Sequence, residues 1–78
     1  MTARVVHNIW NAGRTRRVDI FQRAEGSFGF EELRYAIDVQ AWCPFGSYSE
    51  SFTDTAEAAI REALARVSWA ASEKENYQ

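Results

Sequence analysis

Apolar and polar positions along the chain fall into short alternating runs, followed by one run of helical period. Arg4–Trp10, RVVHNIW, is rich in β-branched and aromatic residues and predicts a strand. Asn11–Thr15, NAGRT, predicts a turn around Gly13. Arg16–Arg23 predicts a second strand, with Val18 and Ile20 on one face and Asp19 and Phe21 on the other. Gly26 closes a tight turn. Phe28–Ile37 predicts a third strand, with Phe28 and Phe30 on one face and Leu33, Tyr35 and Ile37 on the other. The apolar phase switches at Glu31 and Glu32, where a bulge would bring both sets to one side. Asp38–Gln40 turns the chain. Trp42–Phe52 predicts the last strand region, with Pro44 confined to an edge, a strand start or a bulge. Tyr48, Glu50 and Phe52 alternate there with Ser47, Ser49 and Ser51, which read as a solvated face.

The helical run begins after Asp54, a natural N-cap, with Glu57 three residues on completing a capping box. Ala56, Ala59, Ile60, Ala63, Leu64 and Val67 form one apolar stripe. Glu57–Arg61 and Glu62–Arg66 are i, i+4 pairs on the wet side. The alanines favour helix and allow close approach to a sheet. Trp69 lies off the stripe; it either extends a second apolar strip or folds back to cap the core after the helix ends near Ser68. Strands followed by one helix predict an α+β domain: an antiparallel meander of three or four strands with a C-terminal helix across one face. Residues 1–71 form this single domain, and 72–78 are expected to be a flexible tail.

Composition narrows the picture. Seventy-eight residues make one small domain, near the size at which a single core is marginal. Three Trp, three Tyr and five Phe supply large buried areas and also favour interfaces. Nine basic residues against eleven acidic ones give a net charge of −2, unlike a nonspecific nucleic-acid binder. The single cysteine, Cys43, permits no intramolecular disulfide and fits a reducing compartment. No long apolar run marks a signal peptide or a membrane span. A soluble cytoplasmic protein is expected.

Gly26-Ser27-Phe28-Gly29-Phe30 matches half of an RNA-recognition signature, in which strand aromatics stack bases. That fold needs a helix between its first two strands, and none is predicted before Phe28. Glu25, Glu31 and Glu32 flank the aromatics and would repel phosphates. Arg14, Arg16 and Arg17 could grip phosphates, or form a solvated face that balances nearby acids. Catalytic chemistry finds little footing. His7 and Cys43 are single, so no Cys/His metal set exists, and their spacing supports no nucleophile pair. Glu31 and Glu32 point to opposite faces of a strand. No Gly-rich phosphate loop is present, and no cofactor is implied.

One helix covers only one face of such a sheet, which leaves aromatic surface over. The residues expected at an interface are Trp10, Phe21, Trp42, Phe45, Tyr48 and Trp69, with a second copy of the chain as the simplest partner. Nucleic-acid contact through Arg14, Arg16, Arg17, Phe28 and Phe30 is the alternative, and a small accessory or inhibitory protein that blocks a larger complex is a third. The chain resembles the small YegP-type domains of bacteria in Ile20-Phe21, Gly26, Phe28, Phe30, Leu33, Ser47 and Ser49 around Tyr48, and the helix with Ile60, Leu64 and Val67. It departs from them in the stretch Ile37–Gly46 and in its extra N-terminal segment. The resemblance implies a three-stranded sheet with one packed helix, tandem or associated copies, and no catalytic residues.

Overall fold

Four strands form in chain order: β1 Arg4–Trp10, β2 Arg16–Gln22, β3 Phe28–Ala36 and β4 Ala41–Phe45. The computed structural model describes residues 3–46 and 48–70. The strands pair β1-β2-β3-β4, all antiparallel, as a meander. One helix, α1 Ala56–Arg66, packs against β2 and β3. The architecture is therefore the predicted α+β one, with four strands. No helix among the described residues is long and apolar enough to cross a membrane.

Turn chemistry sets the hairpins. The Asn11 side-chain oxygen accepts from the backbone N–H of Thr15 at 2.9 Å and of Arg16 at 3.0 Å. This closes the first turn while Arg14 takes a left-handed conformation, φ 60. Gly26, φ 106, supplies the same freedom in the second turn. There the Ser27 hydroxyl donates to the Glu25 carboxylate and holds it below the ordinary carboxylate range.

The phase switch in β3 has a different origin from the expected bulge. The β2–β3 register runs unbroken from Gln22↔Phe28 to Arg16↔Arg34, and the described irregularity lies in β1, between Val5 and His7. Phe28, Phe30 and Glu32 all face the helix, and Leu33 and Tyr35 face away. Glu32 occupies a core-side position at 2% exposure. Its carboxylate accepts from Arg34 Nε at 3.1 Å and from the indole N–H of Trp69 at 2.8 Å. A buried carboxylate with two donors thus stands where the pattern asked for an apolar residue.

The last predicted strand is also shorter than expected. β4 ends at Phe45, Gly46 turns the chain at φ 82, and Tyr48–Glu50 form a single 3-10 turn. The turn brings the Tyr48 ring onto Phe30, stacked at 5.3 Å. The chain then rejoins the sheet, where Thr53 and Phe28 exchange backbone hydrogen bonds of 2.8 and 2.9 Å. Ser51 is buried rather than solvated, and its hydroxyl accepts from the Phe30 N–H at 2.9 Å. Ser47 lies outside the described residues.

The helix is capped by Thr55 and not by Asp54: the Thr55 hydroxyl accepts from the Ala58 N–H at 3.1 Å. Ala59, Ala63 and Val67 seal against Ile9, Val18, Ile20 and Phe30, with Ile60 and Leu64 partly buried beside them. The helix ends at Arg66, and Trp69, in the following turn, packs against the same core.

Candidate protein-binding face

The face of the sheet away from α1 carries side chains from all four strands. Because cross-strand partners share a face, the register arranges them in four rows. Tyr35 and Trp42 form the first row. Trp10, Arg17, Leu33 and Pro44 form the second. Asn8, Asp19 and Glu31 form the third. Val5, Phe21 and Gly29 form the fourth.

The first two rows make one aromatic–cation cluster. Trp42 meets Trp10 edge-on at 5.6 Å and Tyr35 at 5.4 Å. The Arg17 guanidinium lies 4.7 Å from the Trp42 ring and 5.6 Å from the Trp10 ring. Arg14, from the β1–β2 turn, stands 4.9 Å over the Trp10 ring and adds its charge to the second row. Asp19 fixes Arg17 from below through two contacts of 3.0 and 3.2 Å, and accepts from Asn8 at 2.8 Å. The cluster is therefore held before any ligand arrives.

The third and fourth rows are acidic, then apolar. Ala3, Val5, Asp19, Phe21 and Glu31 line an open depression of about 300 Å³. Gly29 has no side chain because none fits. A Cβ there would lie 2.8 Å from the Ser51 carbonyl oxygen, 2.9 Å from the Arg23 guanidinium and 2.9 Å from the Phe21 ring. The glycine of the Phe-Gly-Phe stretch thus serves packing. Arg23, 5.0 Å from the Phe21 ring, donates to Ser51 O at 2.7 Å and closes this end.

Trp10, Phe21 and Trp42 share this open face, with Trp10 and Trp42 in contact and Phe21 two rows away. Leu33 and Tyr35 join them, although only the third-strand pattern hinted at it. Tyr48 and Trp69 sit on the helix side against the core. Phe45 is on that side too, at the sheet edge, with the Arg34 guanidinium 3.5 Å from its ring. The expected nucleic-acid contacts are dispersed. Phe30 is fully buried and presents no ring to a base, and Phe28 is partly buried against the same core. Arg16 lies on the opposite face from Arg17. His7 and Cys43 occupy the two outermost strands, about 14 Å apart by strand spacing alone. Among the described residues no group of three His, Cys, Asp or Glu could hold a metal ion. No family model, curated protein or solved structure matches the chain.

Proposed function

We propose that this protein is a binding module that docks another protein surface onto its open sheet face, most simply a second copy of itself. One observation carries the reading: a pre-ordered aromatic–arginine cluster, Trp10, Arg14, Arg17, Tyr35 and Trp42, lies on the face that the helix leaves uncovered. Aromatic residues and arginine are the types most enriched at the centres of protein interfaces. Cation–π stacking and the Asp19 pair also reduce the ordering cost of binding.

The sheet edges are weaker candidates than the face. A bulge interrupts β1 between Val5 and His7, and Pro44 removes a donor from β4. Both features oppose continuous strand pairing with another chain. The face measures roughly 20 by 20 Å from strand spacing and rise. That is about 400 Å² per copy, against about 800 Å² per partner in a standard interface. Association should therefore be weak and reversible.

Light scattering across a series reaching several hundred micromolar tests this. The expected result is a molar mass that rises from monomer toward dimer. Phe21→Glu and Tyr35→Glu, at opposite ends of the face, should each keep the native circular dichroism and hold the mass at monomer. A native protein that stays monomeric throughout overturns self-association.

A further inference from the structure

We infer that two copies pack open face to open face about a two-fold axis running across the strands, so that the arginine row of each lies over the carboxylate row of the other. This rests on the self-association reading above and adds the geometry.

The argument comes from the order of the rows. Along the strands the face reads aromatic (Tyr35, Trp42), cationic (Arg17, with Arg14 over Trp10), anionic (Asp19, Glu31), then apolar (Val5, Phe21). An isologous interface brings a patch against itself under rotation. An axis across the strands, between the second and third rows, exchanges the ends. Cationic then meets anionic twice, and the aromatic row meets the partner's apolar row twice. An axis parallel to the strands keeps every row opposite its own copy. Asp19 and Glu31 would then face Asp19 and Glu31, and arginines would face arginines. Facing like charges at an interface opposes association, so the charge pattern selects the first arrangement.

Glu31 is the carboxylate free to take part. Asp19 is 7% exposed and already held by Arg17 and Asn8, whereas Glu31 is partly buried and makes no ion pair among the described residues. Arg14 is its counterpart in the cationic row: it is exposed, and among the described residues its guanidinium overlies Trp10. Arg17 is poorly suited to mutation, because the stack and the Asp19 pair depend on it.

The experiment compares dimer dissociation constants, by sedimentation equilibrium, for the native chain, Glu31→Lys, Arg14→Glu and an equimolar mixture of the two variants. Thermal unfolding of each variant serves as the folding control. Each variant alone should associate at least about tenfold more weakly than the native chain. The mixture should recover to within a few-fold of native, because both crossed pairs are again of opposite charge. Variants that dimerise like the native chain, or a mixture no tighter than either variant alone, overturn this geometry and leave self-association standing. A native chain that is monomeric at several hundred micromolar overturns both.

Discussion

At the scale of single residues, three positions show the fold imposing chemistry on sites that look ordinary in the sequence. Gly29 is confined by the Ser51 carbonyl, Arg23 and Phe21, all within 3 Å of where a Cβ would sit. Two of these neighbours are anchored: Ser51 through the Phe30 N–H, and Arg23 through Ser51 O. Gly29→Ala should therefore destabilise the protein by about 1–3 kcal/mol through overpacking. Urea denaturation measures it, and a change under about 0.5 kcal/mol would mean that the site relaxes freely. Ser51 looks like one of three alternating serines, yet its hydroxyl is buried and satisfies the Phe30 N–H where the ladder has no β4 partner. Glu32 reads as one of the acids flanking the strand aromatics and is a core-side carboxylate with two donors. Both were missed for one reason. A polar side chain is assigned to solvent until a specific partner for it is known, and those partners lie 21 and 37 residues away.

At the scale of elements, β1, β2, β3 and α1 follow from period and turn chemistry: β1 has the expected bounds, β2 and β3 each end one residue early, and α1 ends at Arg66, short of Ser68. The helix start is the sharper case. Asp54 and Thr55 are both good N-caps by type, and only the backbone path decides between them. Thr55 takes the extended conformation, φ −136 and ψ 157, and receives the Ala58 N–H. Thr55→Ala should cost about 1 kcal/mol, and Asp54→Ala only a few tenths. Chemical denaturation of the two variants side by side checks the assignment, and the reverse order would move the cap back to Asp54. The β4 region failed as a long strand because alternation alone cannot distinguish a strand from a loop whose side chains happen to dip in and out. Gly46 turns the chain away from an edge strand that already carries Pro44, and Tyr48 then stacks on Phe30.

At the scale of the whole molecule, the helix covers one face and leaves the other to an aromatic cluster braced by charge. On the covered side the chain following the helix is fastened to the sheet by Trp69, which packs on the core and donates to Glu32. Trp69→Phe keeps most of the ring but removes the donor, leaving a buried carboxylate with Arg34 as its remaining partner. The expected loss is about 1–3 kcal/mol in urea denaturation. A loss matching ring volume alone, or none, would show that the hydrogen bond adds nothing. Against a total stability of about 5–15 kcal/mol for a domain of this kind, such a loss is substantial.

The sequence by itself determined the class of the domain, the number of helices, the hairpin turns and the surplus of aromatic surface. These depend on local matters: backbone propensity, turn residues and the period of apolar positions. It also separated Val18 and Ile20 from Phe21, because neighbours in a strand must face opposite ways. Only the tertiary structure decided which face the helix would cover, and so which aromatics became core and which became surface. Tyr48 and Trp69 went inward; Trp10, Tyr35 and Trp42 stayed on the open side. Both faces of the third strand are apolar, so alternation defined two sets without ranking them. Ranking required the register, which sets residues far apart in the chain side by side, and no local pattern records that pairing.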